Sequence, residues 1–332
     1  MKKVEITRFG HPEEVADCVE CPEVGEPAAD EVVFEVLAFP INPADISFCQ
    51  GRYRLKPPLP ATPGAECAGR VISAGESVTG VKVGDLVINL DRENWAQRRR
   101  VKADRVIVLP RDIDVRQAAM LRINPPTALL LLSDLLAGLG PGDWMIQNAA
   151  NSSVGKLVIS FAKELGVRTV NVVRREDVFE ELYNSDADAC IVDTPDLAAS
   201  VADFTNGAAV RLGIDAVGGR SAAQIASCVA DGGTVCTYGA MSGEDLSLPA
   251  SELIFRGLEV KGFLLGRYLE KRSATEVRAL YSDIAQRICR GKLSVPVEKI
   301  YPIDEIKDAL AHAQRGARTG KVLVAPNGVN AL

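Results

Sequence analysis

Between Trp144 and Arg175 the chain reads WMIQNAANSSVGKLVISFAKELGVRTVNVVRR, and its hydrophobic period changes twice. WMIQNA is an apolar run of strand length. SVGKLVISFAKELG repeats apolar residues every three to four positions, and TVNVVR is again strand-like. A strand, a helix and a second strand in that order form a crossover unit, which joins parallel strands and lays its helix on the sheet. Parallel sheets are covered on both faces. This one stretch therefore commits the chain around it to a layered α/β architecture.

The alternation continues on both sides. PPTALLLLSDLLAGLGPGD reads as a helix stopped by Gly140 and Pro141. ADACIVD, VRLGIDAVG, GGTVCTYG and LEVKGFLL read as further short strands, with helical stretches such as SAAQIASCVADG between them. The expected α/β segment runs over residues 122–290 and forms a doubly wound parallel sheet. Before it, DEVVFEVLAF, AGRVISAG, GDLVINL and DRVIVLP are β-rich runs punctuated by Gly and Pro. After it, short strands return around one amphipathic helix. Residues 1–121 and 291–332 are therefore expected to build one mostly β domain into which the α/β domain is inserted, with a cleft between them. A length of 332 residues fits two domains.

Composition excludes several classes of function. A net charge of −6 lacks the basic field that nucleic-acid binding needs. No apolar run approaches the roughly 20 residues that cross a bilayer. The N-terminal MKKVEITRFGHPEEV turns polar too early for a signal peptide. Eight scattered cysteines suit free thiols in a reducing compartment, so the expected localisation is cytoplasmic. Only His11 and His312 are available as imidazole ligands, and the single C-x-x-C, Cys18 and Cys21, has no second pair nearby. No metal site is expected.

The turn after the first α/β strand is built for phosphate. The N-terminal amides of a helix lack intrahelical partners and carry partial positive charge. Asn151, Ser152 and Ser153 offer short polar side chains there, Val154 continues the first turn, and Gly155 lets the helix pack closely on the strand. About 20 residues beyond such a turn, an NAD site places an acidic residue against the ribose. This chain has Arg174 and Arg175 there. A guanidinium pairs with the 2′-phosphate that a carboxylate would repel, so the expected cofactor is NADPH.

Four stretches in order, INPADISFCQGRYRLKPPLPATPGAECAGRV, INPPTALLLLSDL, QNAANSSVGKLVISFAKELGVRTVNVVRR and KGFLLGRYLEKRS, closely resemble the mitochondrial-type trans-2-enoyl thioester reductases. These are a zinc-independent branch of the medium-chain dehydrogenase/reductase superfamily, and the likeness covers nearly the whole chain. It implies a Rossmann nucleotide domain inserted in a GroES-like catalytic domain, and a homodimer joined through its nucleotide domains. It also implies NADPH-dependent reduction of an enoyl thioester of coenzyme A or acyl carrier protein. Zinc alcohol dehydrogenases have a His where this chain has Ala65. In the Q-G-x-Y loop the tyrosine is the family's proposed proton donor, here Tyr53; a phenol keeps its proton at neutral pH and can give it to an enolate carbon. The resemblance further implicates Asn124, Tyr238, Gly239, Ala240, Met241, Phe263, Leu264, Leu265 and Lys321 in cofactor contact.

Departures from the family bear on the substrate. Phe263, Leu264 and Leu265 stand where Phe-Trp-Leu is common, so a large ring is missing. Arg122 replaces a small residue beside the INPPTA turn, and RENWAQRRRV is more basic than its counterpart. Arg52, Arg54 and Lys56 surround Tyr53, and Arg98 to Arg100 add charge that would steer an anionic carrier. Two other readings remain open: an NADPH-dependent quinone or enone reductase, and a non-enzymatic NADPH-binding protein.

Overall fold

The computed structural model describes residues 1–135 and 139–332. In chain order the first elements are β1 (Lys2–Ile6), α1 (Pro12–Val15), β2 (Ala16–Glu20), β3 (Glu31–Pro40), α2 (Pro43–Cys49), β4 (Ala68–Ala74), β5 (Leu86–Asn89), β6 (Arg98–Lys102), β7 (Val106–Val108) and α3 (Val115–Ala118). There follow α4 (Asn124–Leu135), β8 (Trp144–Gln147), α5 (Ser153–Glu164), β9 (Arg168–Val173), α6 (Phe179–Tyr183), β10 (Ala189–Val192), α7 (Leu197–Thr205), β11 (Val210–Asp215), α8 (Gly219–Cys228), β12 (Thr234–Thr237), α9 (Ala250–Ile254), β13 (Glu259–Gly262) and α10 (Leu265–Glu270). The last are α11 (Ala274–Cys289), β14 (Val297–Pro302), α12 (Ile306–Ala313) and β15 (Lys321–Ala325). In the expected helix from Pro125 to Asp143, residues 136–138 lie outside the described residues. No helix among the described residues is long and apolar enough to cross a membrane.

Met1–Ile123 and Ala274–Leu332 make one unit, and Asn124–Ser273 the other. In the first, a sheet runs β14-β15-β3-β4-β5-β7, with β6 pairing on β3, while β1 and β2 form a separate antiparallel pair. Strand β3 is its centre. Eight of its ten residues are buried, as expected of a strand covered on both faces, and Phe34, Val36 and Phe39 feed a core that includes Trp95. Among the described residues of this unit, only β14 and β15 pair in parallel, because α12 is the crossover between them.

The second unit is a parallel sheet in the order β10-β9-β8-β11-β12-β13. The chain starts at β8, builds outward to β10, then returns to the other side of β8 with β11. In such sheets the crevice at the carboxyl ends, where the order reverses, is where ligands bind.

The boundary at the C-terminal side differs from the expected residue 290. Helix α11 belongs to the first unit. Its Tyr281 hydroxyl donates to the Arg122 carbonyl at 3.1 Å, and Arg278 donates to the carbonyls of Val106 and Asp104 at 3.3 Å each. Its amphipathic period matches that of the helices before it, so periodicity alone assigns it to neither side.

Candidate active site

The turn after β8 stands at the switch point. Asn148 is buried and ties the ends of β8 and β11 together: its Nδ2 donates to Asp215 Oδ1 at 2.6 Å, and its Oδ1 accepts from the Ala216 amide at 2.7 Å. Asp215 also accepts from the amides of Val217 and Gly218 at 3.0 Å. Where a glycine would relieve the backbone, Ala149 takes φ +47°, a left-handed conformation that costs a non-glycine residue about 1–2 kcal/mol. Ser152 then caps α5, its Oγ accepting from the Gly155 amide at 3.1 Å. This leaves the amides of Ser153 and Val154 at the helix start, with half-buried Asn151 beside them.

Gly155 is required by space. A Cβ there would stand 2.4 Å from the Ala150 carbonyl oxygen. Below the turn, Gln147 donates to the Gly155 carbonyl at 2.9 Å and to Asn171 Oδ1 at 2.8 Å, locking α5 to β9. Arg174 and Arg175 follow β9 and are both exposed, and Arg175 Nε lies 3.3 Å from Asp177. Tyr238 comes after β12. Burial pushes its phenol up, and a hydrogen bond with the Ser152 side chain acts the other way. A Cβ on Gly239 would meet the Ala216 oxygen at 2.6 Å, while Ala240 and Met241 are exposed. The structure thus brings Ser152 and Tyr238 together at the start of α5. Phe263 is buried and packs on Tyr268 with ring centroids 4.3 Å apart. Leu264 and Leu265 open α10 and are half-buried. Asn124 begins α4, and its buried Nδ2 has no hydrogen-bond partner among the described residues.

The fit to NADPH rests on these features: first-turn amides without intrahelical partners, a glycine that keeps the helix close to the strand, and two exposed guanidinium groups at the end of β9.

In the first unit, Tyr53 follows α2 in an irregular loop. Its amide donates to the Ser47 carbonyl at 3.0 Å, and its half-buried ring packs against the core. The Arg92 guanidinium carbon lies 5.0 Å from the centroid of that ring. Arg52, Arg54 and Lys56 around it are exposed. The Arg98 to Arg100 run, by contrast, lies in β6 and is spent on carboxylates: Glu23 at 2.7 Å, Glu93 at 3.2 Å and Glu31 at 3.4 Å.

Lys321 stands in a buried polar cluster of this unit. It donates to Asn42 Oδ1, whose Nδ2 in turn donates to Glu66 Oε1 at 2.7 Å; the Ile123 amide donates to Glu66 Oε2 at 2.9 Å. Asp45 accepts from the amides of Asn42 and Ala65 at 3.0 and 2.9 Å. Arg122 donates to the carbonyls of Ala65 and Leu90. Burial pushes Glu66 up to about 7 and Lys321 down to about 8. Asn42, Asp45 and Glu66 were not foreseen as a group. The signal available was N-P-A-D, a capping box at the start of α2.

Two family models match separate stretches of the chain. A family model for the alcohol dehydrogenase GroES-like domain matches residues 28–111, and one for the zinc-binding dehydrogenases matches residues 153–282. The mitochondrial enoyl-[acyl-carrier-protein] reductase of Xenopus tropicalis is 38% identical over 88% of this chain and 86% of its own. A solved complex of Etr1p with NADP and crotonyl-CoA superposes with a TM-score of 0.86 at 26% identity, covering 98% of this chain and 99% of the other. A quinone oxidoreductase from Pseudomonas syringae pv. Tomato gives 0.88 at 26% identity, over 98% and 99%.

Proposed function

The chain belongs to the mitochondrial-type enoyl thioester reductases of the medium-chain dehydrogenase/reductase superfamily, and on that footing we propose how its residues carry the reaction. It is an NADPH-dependent oxidoreductase that reduces the C=C bond of an enoyl thioester. The amides of Ser153 and Val154 hold the pyrophosphate, and Arg174 and Arg175 the 2′-phosphate. Bound there, NADPH would supply the hydride that C3 of a trans-2-enoyl group takes up. Tyr53 gives its phenolic proton to C2. The exposed Arg52, Arg54 and Lys56 meet the phosphates of the carrier, coenzyme A or acyl carrier protein.

The observation that carries the Tyr53 assignment is its half-buried ring beneath a guanidinium, between the exposed Arg52 and Arg54. NADPH oxidation with crotonyl-CoA, then with a longer 2-enoyl-CoA, tests it. Tyr53→Phe is expected to lower kcat by about 10²–10⁴ while NADPH binding survives. Absence of turnover on both thioesters in the wild type overturns the reading.

The likeness to a quinone oxidoreductase and the leucine at position 264 favour a second reading, NADPH-dependent quinone or enone reduction. It requires turnover on quinones that Tyr53→Phe leaves unchanged.

The partner is a second copy of this chain. Strand β13 is an edge of its sheet with all four residues exposed, and Ile254 and Phe255 just before it are 70% and 83% exposed. An open edge flanked by exposed apolar side chains suits pairing with an identical edge.

A further inference from the structure

We propose that Arg92 acts on the substrate beside Tyr53, its guanidinium taking the negative charge that collects on the thioester carbonyl oxygen. The inference rests on the reading of Tyr53 as proton donor given above.

The loop that carries Arg92 is braced from within. Asn89 and Asn94 have no exposed surface. Asn89 Nδ2 donates to Asn94 Oδ1 at 2.7 Å, and its Oδ1 accepts from the Asp91 amide at 3.0 Å. Asn94 Nδ2 donates to the Asp91 carbonyl at 2.7 Å. Arg105 holds the Asp91 carboxylate at 2.8 Å, and Glu93 takes φ +67°. Between these fixed points Arg92 has little choice of direction.

Its guanidinium carbon sits 5.0 Å from the Tyr53 ring and 5.7 Å from the Phe48 ring. Its nearest carboxylate is the buried Asp45, with Nη2 3.9 Å from Oδ1, beyond hydrogen-bond reach. Asp45 has already committed both oxygens to backbone amides. Among the described residues, the buried Nη2 has no hydrogen-bond partner. The neighbouring Arg98, Arg99 and Arg105 each donate to a carboxylate within hydrogen-bond reach, although Arg99 Nε is likewise buried without a partner among the described residues. An arginine that stands beside a carboxylate without bonding it retains donors of its fork for a ligand.

The chemistry places such a group here. C2 and the carbonyl oxygen are both bonded to C1, so a proton donor for C2 and a cation for the oxygen must stand side by side. As hydride bonds to C3, the C2=C3 electron pair moves to C1–C2, and the carbonyl π pair moves to oxygen. Arg92 donates a hydrogen bond to that oxygen and transfers no proton. The Tyr53 O–H bond then breaks toward C2, the carbonyl re-forms, and the phenolate regains a proton from water. A preformed donor at a developing oxyanion contributes through the charge it meets only in the transition state.

Steady-state kinetics with crotonyl-CoA on wild type, Tyr53→Phe, Arg92→Met and Arg92→Lys test this, with NADPH affinity measured in parallel by cofactor fluorescence. Arg92→Met is expected to lose about 10²–10³ in kcat with KM and NADPH affinity changed by less than about threefold, and Arg92→Lys to recover part of the loss. Since Arg92→Met leaves Asp45 without its cation, Arg92→Met with Asp45→Asn removes both charges; the same loss is expected there. Wild-type kcat in either Met variant, or a change confined to KM, overturns the inference. An inactive wild type, or an unaffected Tyr53→Phe, instead overturns the reading on which it rests.

Discussion

Glu66 has no exposed surface, yet it carries a carboxyl group. It is tolerated because Asn42 and the Ile123 amide satisfy its oxygens, with Lys321 beyond Asn42. Burial still dominates, raising its pKa from 4.5 to about 7 against the opposing pull of Asn42, Lys321 and Arg122, with Asp45 adding to the rise. A carboxyl raised in the folded state contributes stability that is whole below pH 4.5 and lost as pH climbs through about 7. Urea unfolding of wild type is therefore expected to weaken across that window by at most about 3 kcal/mol, and Glu66→Gln to flatten the slope. An unchanged slope would place its origin elsewhere. Lys321 runs the opposite way: lowered from 10.5 to about 8 by burial, it contributes stability present above 10.5 and lost as pH falls through about 8. At this scale the sequence offers Tyr53, through its loop motif, as the candidate proton donor, and shows Ala65 in place of a histidine. It did not announce the buried charges. Asn42 and Lys321 stand 279 residues apart, and each is an ordinary polar residue in its own neighbourhood.

Among the elements, the β8–α5 turn was the most legible. Its apolar strand, polar cap and first-turn glycine are local features, and the structure assembles them as local chemistry demands. Gly155→Ala tests how tight that assembly is. With a Cβ placed 2.4 Å from the Ala150 carbonyl oxygen, α5 must shift away from the turn. The expected cost is about 1–3 kcal/mol in thermal or denaturant unfolding, together with weaker NADPH binding by fluorescence titration. Unchanged affinity would separate the turn from the cofactor. Less legible is the role of Asn148, which in the sequence is one polar residue at a strand end and in the structure joins two strands. The joined strands are 67 positions apart in sequence, a distance over which no periodic pattern carries information. The boundary at helix α11 is hard to read for a related reason: an amphipathic stripe states that a helix has a core to face but does not state which core.

For the whole molecule, self-association is the testable property. Phe255→Glu puts a charge at an 83% exposed apolar position next to the β13 edge, where pairing with an identical edge would bury it unpaired. Sedimentation equilibrium is expected to find a dimer in wild type and a monomer in the variant, with NADPH affinity retained in both. A monomeric wild type would remove β13 from consideration. The inserted arrangement of the two units was readable from the switch in hydrophobic period alone, since each sheet type leaves its own signature along the chain. That arrangement also sets a timetable for synthesis. The strand that closes on the Phe39–Pro40 end of β3 is β15, and Lys321 at its start follows Asn42 by 279 residues. At about 5–20 residues per second, a ribosome needs roughly 14–56 s to deliver it. For that interval the nascent chain holds an open strand edge and a buried glutamate without its lysine, so the last strand made is the one that seals the first domain begun.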